Sequence, residues 1–238
     1  MNRGLRVIPV VGKAEKTARH RFDPGRLQAV RIESNEEIVP GVRRLSFARP
    51  WDFVAGQSVA LTLDPSVPAR FYSIASGSSD PMVDVLYDVV PEGTLTPRLD
   101  RLVPGDSVLC SKPFGAFRDA EGPTCWIATG TGVAPFLSMV RSGRVEEKML
   151  VHGSRTIGGL FERKMFGALL GGSYVPCCTR ESADGVFAGR VTEWLATSFP
   201  TGRSRYMLCG NSRMVVDARD LLIGAGVPFT DVVAEIYF

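Results

Sequence analysis

The stretch CWIATGTGVAPF, residues 125–136, decides the fold. Cys125–Thr129 is an apolar run of strand length, Gly130-Thr131-Gly132 breaks it, and Ala134–Val140 reads as a helix. A buried strand turning through glycines straight into a helix opens a parallel α/β sheet. Towards the C-terminus the alternation repeats. Strands are expected at Lys148–His152, Tyr174–Thr179, Arg205–Cys209 and Thr230–Tyr237. Helices are expected at Leu160–Leu170, at Val191–Ala196 after Gly189, and at Arg213–Ile223 with Gly224 as its cap. Residues 121–238 therefore read as a five-stranded parallel sheet with helices on both faces.

Towards the N-terminus the texture changes at Glu121-Gly122-Pro123. Residues 26–120 offer six short strands: Leu27–Glu33, Val42–Phe47, Gln57–Leu63, Phe71–Ala75, Met82–Val89 and Ser107–Ser111. Turns at Pro40-Gly41 and Pro104-Gly105-Asp106 punctuate them, so an antiparallel six-stranded β-barrel is expected. One helix, Leu95–Leu102, interrupts the strands, with Leu95, Leu99 and Leu102 on a single face.

The 238 residues are 45% hydrophobic and 22% charged, which excludes wholesale disorder. No apolar run approaches the roughly 20 residues of a membrane span. The net charge of +3 is uneven: residues 1–26 carry +5 and the remainder −2. Residues 1–25 form a basic extension, read as a solvated, disordered terminus, although such an arm also suits an acidic partner. Leu5–Val11 is too short, and too broken by Pro9, for a secretory signal. Five cysteines with no C-x-x-C, and only His20 and His152, argue against a disulfide framework and a metal site. A reducing, cytoplasmic setting and a monomer are expected, with no nucleic acid as partner.

Several segments carry candidate chemistry. In Arg70-Phe71-Tyr72-Ser73, strand alternation puts Arg70 and Tyr72 on one face and Phe71 and Ser73 on the other. An aromatic beside a guanidinium suits a flavin dinucleotide; cross-strand packing explains the same residues. Gly93-Thr94-Leu95-Thr96 enters a helix whose free amides could hold an anion or simply be capped. The Gly130-Thr131-Gly132 turn between strand and helix favours phosphate approach, with a tight structural turn as the alternative. Arg155, Arg180 and Arg190 all follow strand ends or glycine turns; singly each reads as a solvated surface charge, and together they would form an anion cluster of the kind a 2′-phosphate requires. Cys209-Gly210-Asn211 ends a strand, and Glu235-Ile236-Tyr237-Phe238 closes the sequence with rings able to cover a flat cofactor.

Taken in order, these segments resemble the ferredoxin/flavodoxin–NADP reductases of the bacterial type, over residues 26–238. The resemblance implies an FAD-binding barrel, an NADP-binding α/β domain, and electron transfer between NADPH and ferredoxin or flavodoxin. The hydride would pass between nicotinamide C4 and flavin N5. It implies FAD contacts from Arg70, Phe71, Tyr72, Ser73, Leu86, Thr94, Leu95, Thr96, Thr131, Tyr237 and Phe238. NADP(H) would be held by Thr131, Gly132, Ser154, Arg155, Thr179, Arg180, Arg190 and the run Asn211, Ser212, Arg213, Met214, Val215. Ser73, Cys209, Glu235 and Tyr237 are the catalytic candidates it implies. Phe114-Gly115-Ala116-Phe117 and Gly132-Val133-Ala134-Pro135 are also similar to plant-type and oxygenase-reductase members, so a reductase component of a multicomponent oxygenase stays open. So does a catalytically quiet FAD-binding subunit.

Overall fold

A computed structural model describes residues 6–7 and 27–237. In chain order the strands are β1 (Arg6–Val7), β2 (Gln28–Val39), β3 (Val42–Ala48), β4 (Ser58–Thr62), β5 (Arg70–Ser73) and β6 (Met82–Asp88). Then come β7 (Ser107–Cys110), β8 (Thr124–Thr129), β9 (Lys148–Ser154), β10 (Tyr174–Cys178), β11 (Phe187–Ala188), β12 (Arg205–Asn211) and β13 (Val232–Tyr237). The α-helices are α1 (Thr96–Leu99), α2 (Ala134–Arg141), α3 (Arg163–Leu170), α4 (Val191–Thr197) and α5 (Ser212–Gly224). They group into two compact units: residues 27–118 with 134–142, and residues 6–7 with 119–133 and 143–237. Apart from β1, the basic extension lies outside the described residues.

The first unit is a six-stranded antiparallel sheet in the order β5-β4-β7-β2-β3-β6. Its two edges meet at the bridge Ile74↔Val85, reinforced by Ala75 N–H donating to Asp84 O at 2.8 Å, so the sheet closes. Every second residue of β2 points inward at first, and Val30 and Ile32 join Leu45, Phe47, Val85 and Leu99 in the core. β2 runs six residues beyond its expected end at Glu33, because backbone pairing with β3 continues after the apolar alternation stops. The expected helix Leu95–Leu102 is reduced to the single turn α1. Asn35 Nδ2 donates to the carbonyls of Leu99 (2.8 Å) and Leu102 (3.0 Å), so a half-buried side chain satisfies the groups that a longer helix would have used.

Helix α2 follows the glycine turn in sequence but packs with the barrel, and Ala134–Val140 are all buried. A polar network fixes it. Arg141 pairs with Asp80 at 2.8 Å and Asp84 at 3.1 Å, Asp84 also accepts from Ser46 Oγ at 2.7 Å, and Ser138 Oγ donates to Ser76 O at 2.6 Å. Half-buried, multiply bonded ion pairs of this kind fix register more than they add stability.

The second unit is a sheet in the order β1-β13-β12-β8-β9-β10-β11. The five expected strands β8, β9, β10, β12 and β13 are parallel; β11 extends the sheet in parallel beyond β10, and β1 pairs antiparallel with β13. From β8 the chain steps outward to β9 and β10, then returns to the other side for β12 and β13. The order therefore reverses between β8 and β12, where an open α/β sheet places its binding crevice. α4 and α5 cover one face with Val191, Leu195, Ala218 and Leu222 against Ile127 and Leu208. α5 runs through Gly224, the expected cap, and is closed by Gly226 (φ 90°) instead.

On the other face α3 seats Phe166 against Tyr174 and His152. His152 is fully buried; Nδ1 lies 3.2 Å from Tyr174 Oη, and Nε2 has no partner. Burial pushes its pKa down to about 3 from an ordinary 6.5, so it is folded in neutral form. The unfolded chain takes up the proton from about pH 6.5 downward. This contribution is complete above that pH and is lost as pH falls towards 3. His152→Phe should flatten that part of the stability–pH curve, measured by urea unfolding between pH 4 and 8; parallel curves for the two proteins would refute it.

Candidate functional site

In the barrel, β5 pairs with β4 in the register Leu61↔Arg70, Ala60↔Phe71, Val59↔Tyr72 and Ser58↔Ser73. The alternation holds. Tyr72 faces the same side as Val59, packs on the core and sets its ring edge-on to Tyr87 at 6.3 Å, while remaining half-buried. Burial first, then the neighbouring Tyr87, raises the Tyr72 phenol well above its ordinary pKa, and Arg70 offsets only part of this. Tyr72 is thus a neutral ring carrying a hydroxyl donor at any working pH. Phe71 stacks edge-on against Phe114 at 5.0 Å. Ser73 is buried, its Oγ 3.4 Å from Ser58 Oγ. Leu86, on β6, is buried but belongs to the face opposite the core residues Val85 and Tyr87.

The turn into α1 is held by Val90 N–H donating to Thr96 Oγ1 at 2.9 Å and Gly93 N–H donating to Val90 O at 2.8 Å. Leu95 commits its side chain to the barrel core, which leaves only its backbone for a ligand. Thr94 is exposed and Thr96 half-buried. No side chain caps α1, so Thr96 is engaged ahead of the helix and not in capping it.

In the α/β unit, the switch point is closely packed. Residues 130–133 form a 3-10 turn, with Thr131 and Gly132 buried. A Cβ on Gly132 would lie 2.5 Å from Cys209 O and from Gly210 Cα, so this glycine is required by the backbone crossing at the end of β12. Gly130, at φ 56°, has open space around the equivalent position, so it is the glycine whose surroundings no neighbouring atom fills. Across β12 and β13, Cys209 is registered with Glu235, and Asn211 with Tyr237. Cys209 and Glu235 are both fully buried and lie on the face turned away from α4 and α5. Phe238 and the side chain of Tyr237 are outside the described residues.

Asn211 caps α5, its Oδ1 accepting from Arg213 N at 3.0 Å, and its own N–H reaches Thr129 Oγ1 at 3.4 Å. Met214 and Val215 are buried in the sheet core, so Ser212 and Arg213 are the members of this run open to a ligand.

The arginines lie beyond three adjacent strand ends. Register pairs Cys178 with Ser154 on β9 and with Ala188 on β11, and Arg155, Arg180 and Arg190 follow, all exposed. The β9 and β10 exits stay zipped: Thr179 N–H donates to Ser154 O at 3.2 Å and Arg180 N–H to Arg155 O at 3.0 Å. Arg190 is the N-cap of α4, its backbone N–H donating to Glu193 Oε2 at 2.8 Å, and the residue is exposed. Glu181, absent from the sequence reading, accepts Ile157 N–H at 2.6 Å; its only sequence signal is its place directly after Arg180. Lys148, also missed, is 5% exposed and gives its ammonium to Asp119 (2.9 Å), Ala120 O (2.7 Å) and Gly122 O (2.8 Å). No group of three or more metal-ligating side chains occurs among the described residues.

No protein-family model matches the chain. It is 33% identical over 195 residues to the flavodoxin/ferredoxin–NADP reductase of Shigella flexneri, an alignment covering 70% of this chain and 77% of that protein. It is 31% identical over 199 residues to the reductase subunit of an Amycolatopsis aromatic O-demethylase, covering 75% of this chain and 60% of that protein. Among solved structures, a Neisseria gonorrhoeae ferredoxin–NADP+ reductase with bound FAD and NADP superposes with a TM-score of 0.78 at 22% identity, covering 90% of this chain and 99% of that one. The fold is the same.

Proposed function

The chain belongs to the flavodoxin/ferredoxin–NADP reductase family, and from that premise we propose that it moves electrons between NADPH and a small one-electron carrier, ferredoxin or flavodoxin, using FAD. The observation that carries the reading is the pairing of Cys209 with Glu235 at the switch point, on a sheet whose outer strand ends bear three exposed arginines.

The residues present fit both groups. Arg70 and the half-buried, neutral Tyr72 offer a guanidinium and a ring on one strand face, and the open Gly130 admits a phosphate to the backbone. When bound, FAD supplies two-electron exchange with nicotinamide and one-electron exchange with the carrier. We assign Arg70 to the FAD phosphates together with the backbone of Thr94, Leu95 and Thr96, and Tyr72 and Ser73 to the ring system. Phe71 and Leu86 shape the surroundings. Thr131, Cys209 and Glu235 line the nicotinamide end. Glu235, buried and apart from bulk water, is placed to hold or polarise a proton. Ser154, Arg155, Thr179, Arg180 and Arg190 take the 2′-phosphate, and Asn211, Ser212 and Arg213 the adenosine side, with Met214 and Val215 supporting from the core. By family resemblance we also assign Tyr237 and Phe238 to FAD.

Arg180→Ala tests the cluster. Losing one charge-assisted contact should raise the dissociation constant for NADPH about 30-fold or more and leave NADH within about threefold. Equal losses for both nucleotides would remove the arginines from 2′-phosphate recognition. The purified chain should take up FAD and be bleached by NADPH; a chain that binds no flavin defeats the whole assignment.

The O-demethylase relative favours a second reading, delivery of electrons to an oxygenase. This chain spans 60% of that protein, and these 238 residues contain no C-x4-C-x2-C motif of the kind that holds a [2Fe–2S] cluster. Reduction rates with ferredoxin and flavodoxin, each titrated alone, separate the two roles. A monomer in the cytoplasm is part of the proposal; its five cysteines are buried free thiols.

A further inference from the structure

Two of the three arginines lie on neighbouring loops, and one carboxylate ties those loops together. The loop leaving β9 contains Arg155 and the loop leaving β10 contains Arg180. Both are exposed, and both would be free to splay were their backbones not joined. Two amide–carbonyl bonds extend the ladder past the strand ends as far as Arg180. Beyond that, Glu181 Oε2 accepts the N–H of Ile157 at 2.6 Å, closing the β9 loop two residues after Arg155. A carboxylate accepting a backbone N–H is a charge-assisted bond, among the stronger ties available to a surface loop. It also sets a negative charge beside a site that must attract an anion. Pure attraction would have favoured a neutral residue here.

We propose that Glu181 is the positioning residue of the anion site: by anchoring Ile157 it holds the Arg155 and Arg180 loops in the one arrangement in which both guanidiniums reach the same phosphate. This rests on the reading of the arginines as a 2′-phosphate site. The tether acts on geometry, so its loss must weaken recognition of the phosphate and spare recognition of the rest of the nucleotide. Glutamine keeps an acceptor oxygen at the same reach without the charge; alanine keeps neither.

The experiment is calorimetric titration of the wild-type chain, Glu181→Gln and Glu181→Ala with adenosine 2′,5′-bisphosphate and, separately, with adenosine 5′-monophosphate. The measured quantity is the ratio of the two dissociation constants. Glu181→Ala should lower the preference for the 2′-phosphate about tenfold, as expected for one lost bond to a charged group. Glu181→Gln should retain or exceed the wild-type preference, because the tether survives and the repelling charge is gone. A wild-type ratio in Glu181→Ala, or an equal fall in Glu181→Gln, overturns the tether. A wild-type chain with no preference for the 2′-phosphate overturns the anion-site reading itself and the proposal with it.

Discussion

Replacing Gly132 with alanine should lower stability by about 3 kcal/mol and cut NADPH-dependent turnover at least tenfold. The new methyl would sit 2.5 Å from two backbone atoms of Cys209 and Gly210, and neither can swing aside as a flexible side chain could. The 3-10 turn must lift away from β12, taking Thr131 with it and opening the crevice in which Cys209 and Glu235 face each other in register. Gly130→Ala is the control. Its Cβ meets nothing within 4 Å, so only the left-handed backbone at φ 56° is penalised, by roughly 1 kcal/mol. Urea unfolding and steady-state kinetics on both variants decide the matter. Equal behaviour would mean that the glycines serve the turn alone and that the crossing at β12 places no demand on function.

Lys148→Met should be the most damaging single change to the α/β unit, costing about 3–5 kcal/mol. The Lys148 side chain is 4% exposed and that of its partner Asp119 6%, so removing the cation strands a buried carboxylate, left with Trp126 Nε1 at 3.3 Å. It also leaves the carbonyls of Ala120 and Gly122 without the donor that gathers the 119–124 segment. For a chain of this size that corresponds to a fall in Tm of roughly 10 °C. Combining Lys148→Met with Asp119→Asn should recover part of the loss, since the uncompensated charge is then gone. If the double variant is no better than the single, the ammonium matters for the carbonyls it caps and not for the ion pair.

Both effects arise from places that the sequence describes poorly. The glycines of residues 130–132 are legible as a strand-to-helix turn, yet the letters do not distinguish the glycine that leaves room for a ligand from the one filled by a neighbouring backbone. That difference exists only because β12 returns beside β8 after 75 intervening residues. Lys148 reads as the first residue of a strand, and nothing local reveals the two carbonyls converging on it. Glu181 reads as one more surface charge. Met214 and Val215 illustrate the reverse case: motif position assigned them to the nucleotide, but the helical period turns their side chains into the sheet core. Leu95 is similar, a motif residue whose side chain belongs to the barrel.

Periodicity, glycine turns and strand-ending motifs were enough to indicate an antiparallel barrel followed by a parallel α/β sheet; the family came from resemblance to known reductases, shown by 33% identity to one of them. These signals are local, carried by residues within a few positions of one another, so they survive in the one-dimensional text. Tertiary structure alone decided the closure of the barrel through Ile74 and Val85, the packing of α2 with the barrel, and the tether from Glu181 to Ile157. Each depends on segments brought together by folding, where burial and hydrogen-bond geometry set what a residue does whatever its immediate neighbours in sequence.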